Sequence, residues 1–176
     1  MELRDKELTL RHAVSADAPQ LAAWWNDGAV MAHAGFPKGV GTTAEEVAQK
    51  LTGEADRVHR RIILELAGRP IGEMNYRDLG EDTAEIGIKI CVTAEQNHGL
   101  GRRALSLLIR YLFEELGYGK IVLDTNRNNL RAQHVYESLG FRKVAIHENA
   151  WTDQLGEKQS SVDYELLPEA FISFLN

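Results

Sequence analysis

The stretch of chain from residue 83 to residue 125 constrains the fold most, because it alternates strand, helix and strand. The run TAEIGIKICV (83–92) is apolar and rich in branched side chains, and KIVLDT (120–125) is a shorter run of the same kind. Between them, residues 100–116 carry apolar side chains at helical spacing. Two strands of one sheet that are joined through a helix form a right-handed crossover and run parallel. The sequence therefore predicts a central pair of parallel strands.

The remaining segments predict antiparallel strands and further helices around this pair. Residues 60–78 contain two apolar runs separated by AGRP, which is typical of a hairpin. Further strands are predicted at 7–13, 141–153 and 160–167, and further helices at 15–26, 42–57 and 129–140. The predicted fold class is α/β, with a mixed, mostly antiparallel sheet that is flanked by helices. A length of 176 residues fits one domain, so we expect residues 1–176 to form a single domain.

Charge and hydropathy narrow the classes of partner. The formal net charge of -6 argues against a nucleic-acid surface and mildly favours a cationic acceptor. No apolar run approaches the roughly 20 residues that a membrane span needs. The charged N-terminus lacks the apolar segment of a signal peptide. We therefore expect a cytoplasmic protein that acts without a nucleic acid or a membrane as partner.

Metal and disulfide chemistry are not expected. Cys91 is the only cysteine, which excludes an intrachain disulfide and a cysteine-rich zinc site. It lies in the apolar run IGIKICV, so a packing role is favoured over a nucleophilic one. The six histidines show no H-x-x-x-H or H-E-x-x-H spacing, and no metal ligand is predicted.

The loop QNHGLG before the long helix is the strongest candidate for ligand binding. Gly99 and Gly101 permit backbone conformations and close approaches that a Cβ atom would block. Free N–H groups at the start of a helix bind phosphate, and a bound anion would offset the positive charge of Arg102 and Arg103 in the first turn. The alternative is a tight turn without a ligand. The pattern lacks the G-x-x-x-x-G-K-[ST] and G-x-G-x-x-G spacings, which disfavours an NTPase or a Rossmann dehydrogenase.

Two motifs about thirty residues apart resemble those of the GCN5-related N-acetyltransferase (GNAT) superfamily. The first is the acetyl-CoA motif, Gln or Arg, two residues, Gly, one residue, Gly or Ala, matched at 96–101. The second is matched by Asn129, Ala132, Tyr136, Gly140 and Phe141. The segments AAWWNDGAVM and VDYELL are also similar to the branch of ribosomal-protein alanine and spermidine acetyltransferases, and similar segments occur in aminoglycoside 6′-acetyltransferases.

The resemblance implies a GNAT fold with acetyl-CoA as the cosubstrate. It places Asn129 in a loop that reaches the cofactor, backbone amides around the pyrophosphate, and a short backbone segment along the pantetheine arm. The cofactor-binding residues implied are Ile90, Cys91, Val92, Gln96, Asn97, His98, Gly99, Leu100, Gly101, Arg102 and Asn129. By the same resemblance, Tyr136 is the acid that protonates the leaving thiolate.

Direct attack of an amine on a thioester needs a base and a donor for the developing oxyanion, and no metal. A backbone N–H near Cys91 is the candidate donor. Glu85, Asp124 and Glu73 are candidate bases, with Glu85 and Asp124 favoured and the choice between them open. Each of the three has the alternative of being a solvated acid at a strand end.

The acceptor site is predicted from aromatic and acidic residues, because these can hold an amine by cation–π contact and charge. Trp25, Asp27 and Glu73 are the acceptor-binding candidates, although one tryptophan of the WWND segment can be core and the Asn-Asp pair can end the helix. The predicted function is acetyl transfer to a small amine that resembles a polyamine or an aminoglycoside. The alternatives are acetylation of a protein or peptide N-terminus, and a non-catalytic acetyl-CoA sensor. A homodimer, common in this superfamily, is a further expectation.

Overall fold

The computed structural model describes residues 1–176. Its strands are β1 (Glu2–Asp5), β2 (Leu8–His12), β3 (His59–Leu66), β4 (Arg69–Gly80), β5 (Thr83–Ile90), β6 (Lys120–Asn126), β7 (Arg142–Thr152) and β8 (Lys158–Leu166). Its helices are α1 (Ala18–Trp25), α2 (Gly28–Met31), α3 (Ala44–Leu51), α4 (Leu100–Glu114) and α5 (Leu130–Ser138). The eight strands form one sheet in the order β1-β2-β3-β4-β5-β6-β8-β7.

The predicted parallel pair is confirmed, and it is the point at which the sheet opens. All neighbouring strands are antiparallel except β5 and β6. These two pair only where Thr83–Glu85 lies against Lys120–Val122. The remaining residues of β5 and β6 have no partner across the gap between them. The two strands thus diverge toward their carboxyl ends and leave a cleft in the middle of the sheet.

Helices cover both faces of the sheet and create two apolar cores. The larger core packs α4, through Leu105, Leu108 and Leu112, against one face. The smaller core packs α1, α2 and α3 against the other face around Ile63. Successive side chains of a strand point to opposite faces, so a strand covered on both sides must be apolar without alternation. This explains why the run 62–64 in β3 is completely buried.

Three local features differ from the sequence prediction. Strand β1 is not predicted from the sequence, because its residues are mostly charged. It forms a hairpin with β2 through a turn at Lys6, where φ is 54°. Helix α3 ends at Leu51 and does not continue to residue 57. Gly53 follows its last turn, and glycine favours the end of a helix. The short helix α2 lies in a segment that had no assignment. No helix has both the length and the apolar character needed to cross a membrane.

Gly72 is required where β4 and β5 approach each other beside the cleft. A Cβ atom there would lie 2.2 Å from the backbone oxygen of Lys89, a contact that only movement of β5 could relieve. We expect Gly72→Ala to lower the free energy of unfolding by about 1–3 kcal/mol, the usual cost of overpacking. Urea unfolding measures this change.

The matched control for this substitution is Gly53→Ala. The nearest atom to a Cβ at Gly53 is 4.0 Å away, so this variant should unfold within about 0.5 kcal/mol of the wild type. Equal unfolding midpoints for the two variants would contradict the close approach of β4 and β5.

Candidate active site

A cleft of about 910 Å³ occupies the opening between β5 and β6. Its walls are the carboxyl-terminal halves of these strands, the first turns of α4 and α5, part of β4 and the α2 region. The two strand ends supply side chains and unpaired backbone groups, and the two helix starts supply N–H groups. The topology therefore brings together segments that are more than a hundred residues apart in the chain, from Ala29 to Ser161.

The first turn of α4 presents free backbone N–H groups to the cleft. Asn97 and Gly99 have φ values of 64° and 75°, and these left-handed residues form the turn that leads into α4. A Cβ atom at Gly99 would meet nothing within 4 Å, so glycine is favoured there by its backbone conformation and not by crowding. The first bond along the helix is donated by the N–H of Arg103 to Gly99, which leaves the N–H groups of residues 100–102 without an intrahelical acceptor.

Two of the three arginines near this turn have no carboxylate partner. Arg103 is paired with Asp5 at 2.7 Å, so its charge is used within the protein. Arg102 lies over the ring of Phe174 and lines the cleft. Arg131, on the opposite wall, donates to the side-chain oxygen of Asn97 at 2.9 Å. Two uncompensated cations beside free N–H groups make this end of the cleft suitable for a ligand with several negative charges.

The edge of β5 that faces the gap offers backbone donors, among them the N–H of Ile90. The N–H of Cys91 donates to the oxygen of Ile71 at 2.8 Å, and the N–H of Val92 does so at 3.1 Å. The pair Gly72 and Ile90 is therefore a non-hydrogen-bonded pair of the ladder, so the N–H of Ile90 points away from β4 and toward the gap. The N–H of Cys91 is thus already used, and the free N–H nearest to it on this edge is that of Ile90.

Cys91 behaves as a packing residue. Its side chain packs against the smaller core. Burial raises the pKa of its thiol to about 12, so the group is a neutral thiol at neutral pH and a poor nucleophile. The structure therefore supports the packing role predicted from the apolar run around it.

Tyr136 lies at the inner end of the cleft with its ring held between two other aromatic rings. It is 7% exposed, and its ring centroid is 6.0 Å from that of Phe141 and 5.9 Å from that of Tyr164, both in edge contacts. Burial, with a smaller effect from the charge of Asp124, raises the pKa of Tyr136 to about 12. The phenol is therefore protonated at neutral pH and can act as a proton donor.

Asp124 is the carboxylate that faces the cleft without a cation beside it. It lies near the end of β6 and can be reached from the open cleft. The protein around it still displaces water, and this burial, with the charges of Glu85 and Asp163, raises the pKa of Asp124 above its ordinary value. Glu85 differs, because it is paired with Arg77 at 2.6 Å and does not line the cleft.

Glu73 is the deepest acidic group of the cleft wall. It is 1% exposed, and its Oε1 atom accepts hydrogen bonds from Trp25 Nε1 at 3.0 Å and from Lys89 Nζ at 3.3 Å. Trp25 lies behind Glu73 and does not line the cleft. Asp27 accepts a hydrogen bond from the N–H of Ala29 and caps α2 outside the cleft. Of the three predicted acceptor-binding residues, only Glu73 therefore reaches the cleft.

Most of the predicted site residues meet in this cleft, and the exceptions have identifiable local roles. The cleft is lined by Glu73, Ile90, Cys91, Gln96, Asn97, Gly99, Leu100, Gly101, Arg102, Asp124, Asn129 and Tyr136. The predicted residues outside its lining are Trp25, Asp27, Glu85, Val92 and His98. Gln96 ties the loop to β5 by donating to the oxygen of Ile90 at 2.9 Å, and Asn129 caps α5.

Sequence reasoning missed several polar or aromatic residues of the lining, among them His33, Asn75, Lys89, Arg131 and Trp151. Lys89 had a visible signal, since it is the one charged residue in the apolar run IGIKICV. His33 and Trp151 had none, because they enter the cleft only through the packing of distant segments. No group of three or more His, Cys, Asp or Glu side chains is arranged to hold a metal ion.

The raised pKa of Asp124 leads to a prediction about stability. A carboxyl group whose pKa is raised by folding binds protons more tightly in the folded state, so its contribution to stability falls as the pH rises through that pKa. Asp124→Asn removes the ionisable group, and with it the loss of stability that its ionisation causes. We expect the variant to be more stable than the wild type at neutral pH, with the difference shrinking as the pH falls toward 3.8, the ordinary pKa. Urea unfolding across this pH range measures it.

Asp153→Asn is the control of opposite sign. Hydrogen bonds from backbone N–H groups, that of Glu157 above all, lower the pKa of Asp153, so its charged form favours the folded state. This variant should lose stability at neutral pH and approach the wild type in acid. A loss of stability at neutral pH in both variants would contradict the environment described for Asp124.

Sequence and structure comparisons relate the chain to known acetyltransferases. Residues 7–142 match the family described as acetyltransferase (GNAT) domain. Spermidine N(1)-acetyltransferase of Escherichia coli strain K12 is 30% identical over 87 residues, which are 49% of this chain and 47% of that protein. A Methanocaldococcus jannaschii protein is 36% identical over 84 residues, 47% of this chain and 17% of that protein. The matches therefore span less than half of either curated relative.

Solved structures share the fold over nearly the whole chain. Spermidine N-acetyltransferase from Vibrio cholerae, in complex with CoA and spermine, has a TM-score of 0.81 at 24% identity, over 94% of this chain and 98% of that chain. A ribosomal L7/L12 alpha-N-protein acetyltransferase in complex with coenzyme A has a TM-score of 0.84 at 16% identity, over 97% and 99% of the two chains. The predicted GNAT resemblance and fold class are confirmed, and the chain belongs to the GNAT family of acetyltransferases, which are acyl-transferring enzymes.

Proposed function

We propose that the chain transfers the acetyl group of acetyl-CoA to the primary amine of a small molecule bound in the cleft. One observation carries the proposal. A protonated phenol, Tyr136, and an unpaired carboxylate, Asp124, line the same cleft as the free N–H groups at the start of α4. A proton donor, a proton acceptor and an anion site are the three groups that this transfer needs.

The anion site would hold the phosphates of coenzyme A. The N–H groups of residues 100–102 would receive the pyrophosphate, with Arg102 and Arg131 supplying charge on the two walls. The arm that follows would lie along β5, whose edge toward the gap has no strand partner. Bound in this way, acetyl-CoA supplies an activated acetyl group as a thioester. The N–H of Ile90 would donate to the carbonyl oxygen, where negative charge develops during attack.

Asp124 is the base that fits the geometry. Sequence reasoning left Glu85 and Asp124 open, and the ion pair of Glu85 with Arg77 outside the cleft favours Asp124. A raised pKa makes a carboxylate a better proton acceptor. Asp124, directly or through water, would take the proton that the amine loses as its nitrogen bonds to the acetyl carbon.

Tyr136 would supply the second proton. As the bond between the acetyl carbon and sulfur breaks, the electron pair remains on sulfur, and the phenol protonates it. Its ring contacts with Phe141 and Tyr164 fix the side chain, so the hydroxyl needs little reorganisation. The products are an acetylated amine and free coenzyme A, so no covalent bond to the protein is formed.

Acceptors of the polyamine and aminoglycoside type remain candidates within the small-amine class, as the sequence predicts. The spermine-bound neighbour supports small amines, and the ribosomal-protein neighbour supports the alternative of a protein N-terminus. The enclosed position of Glu73 favours a small molecule, because the side chain is buried in the wall and a folded partner would not reach it.

The test is release of free thiol from acetyl-CoA with a panel of polyamines, aminoglycosides, amino acids and N-terminal peptides. Coenzyme A binding is followed in parallel by calorimetry. Thiol release with a small amine supports the proposal, and release with peptides alone supports the N-terminal alternative. Binding without release indicates a sensor. Absence of binding rejects the assignment of the phosphate site.

Tyr136→Phe isolates the acid. Loss of the hydroxyl removes the proton donor but keeps the ring, so we expect kcat to fall by about 10²-fold. The Kd for coenzyme A should stay within about twofold, because no phosphate contact is changed. Stopped-time thiol assays and calorimetry measure the two quantities.

Tyr164→Phe is the matched control. Burial raises the pKa of Tyr164 to about 12 as well. Its hydroxyl donates a hydrogen bond to Glu137, and the residue does not line the cleft. Its kcat should remain close to that of the wild type. An unchanged kcat in Tyr136→Phe would remove this tyrosine from the reaction.

A further inference from the structure

Lys89 is an unexpected cation in the wall of the cleft, beside Glu73. It lies opposite Glu73 in the β4–β5 ladder, so the two side chains project from the same face of the sheet. Its Nζ atom donates to Glu73 Oε1 at 3.3 Å, and 31% of the side chain remains exposed. An ammonium group has three donors, and Glu73 uses one of them. Lys89 can therefore bind a further acceptor atom from the cleft.

Almost every carboxylate on this face of the sheet already has a partner side chain. Glu73 is matched by Lys89 and by Arg61, whose Nη1 lies 3.6 Å from Oε2. In the neighbouring strands, Arg77 lies 2.6 Å from Glu85, and the imidazole of His147 shares a hydrogen bond with Asp163 at 2.7 Å. Asp124 alone lines the cleft without an ion pair.

This balance of charge is unfavourable for a polycation. A polyamine carries two or more ammonium groups, and the cleft offers one unpaired carboxylate, Asp124. A second ammonium near Glu73 would meet Lys89 and Arg61, and repulsion between like charges disfavours such a complex. The site is better matched to an acceptor that has one ammonium group and brings a negative charge of its own.

Glu73 provides an independent sign of a ligand at this position. Its Oε2 atom is buried and accepts no hydrogen bond, since Arg61 Nη1 at 3.6 Å is an ion-pair partner but is too far away for a hydrogen bond. A buried oxygen without a donor is costly, so a ligand N–H or O–H that reaches it would be stabilised. Next to it, Lys89 offers donors to a ligand oxygen. A donor and an acceptor side by side suit a compact polar group.

We propose that Lys89 and Glu73 form an acceptor subsite for amines of the amino-acid class, with the carboxylate of the acceptor bound to Lys89 Nζ. This inference rests on the proposed acetyl transfer and narrows its acceptor. The amine of such a molecule is directed along the cleft toward Asp124, and Glu73 Oε2 accepts from a donor of the same molecule. Polyamines are selected against by the charge of Lys89.

The experiment compares each amino acid with the amine that results from loss of its carboxylate. Twenty α-amino acids, their decarboxylated amines, their methyl esters and spermidine are assayed by thiol release with the wild-type protein. We expect at least one amino acid to exceed both its own amine and spermidine in kcat/KM by about tenfold or more, because a site built for a polar group discriminates strongly against its absence.

Variants then assign the preference to Lys89. In Lys89→Met, the ratio of kcat/KM for the amino acid to that for its decarboxylated amine should fall to about one. In Lys89→Glu, the ratio should invert in favour of the amine. The ratio is taken within one protein, so the fraction that folds cancels. If Lys89→Met does not fold because Glu73 loses its partner, the double variant Lys89→Met, Glu73→Gln removes both charges together.

Lys50→Met is the matched control. Lys50 also lies near Trp25, at 5.9 Å from its ring, but it is outside the cleft, so the ratio should not change. A wild-type preference for spermidine or for the decarboxylated amines, or an unchanged ratio in Lys89→Met, overturns the subsite and leaves the acetyl transfer standing. Absence of thiol release with every acceptor rejects the proposed function, and the subsite with it.

Discussion

The divergence of β5 and β6 is the constraint on which the rest of the structure depends. The two strands share three residue pairs and then separate. Beyond these pairs, each strand keeps its outer neighbour but has no partner on the side that faces the gap. Unpaired backbone groups inside a protein need other partners. The gap has room for water or a ligand to meet this need, and the crossover that makes the strands parallel also places the first turn of α4 at its mouth. The cleft is therefore a consequence of the topology.

Burial and charge divide the cleft into regions with different chemistry. Cations and free N–H groups surround its outer end at α4 and α5, where Arg102 and Arg131 lack carboxylate partners. The inner end holds Tyr136, whose pKa is raised to about 12, and Asp124, whose pKa is also raised. Burial is the main cause of both raised pKa values. Each raised pKa favours the protonated form of its side chain, so both side chains can take part in proton transfer. The cleft can therefore bind an anion at its outer end and transfer protons at its inner end.

The packing behind the cleft keeps these groups in place. Trp25 belongs to the smaller core and donates to Glu73, so a residue predicted to touch the acceptor acts instead through the carboxylate in front of it. Arg61 lies over the same tryptophan ring at 4.8 Å and approaches the other oxygen of Glu73. The charge cluster in the wall is thereby held in place by residues that lie on the same face of the sheet but do not line the cleft.

The order of the strands and helices of the central unit, the parallel pair and the glycine turn before α4 could all be predicted from the sequence. These features depend on short-range pattern, on glycine at a left-handed position and on the handedness of crossovers, all of which are readable along the chain. The sequence could not show which acids face the cleft. Glu85 and Asp124 look alike in sequence, and ion pairing with Arg77 on a neighbouring strand separates them. Such pairings join residues through register and packing, which a linear pattern does not contain.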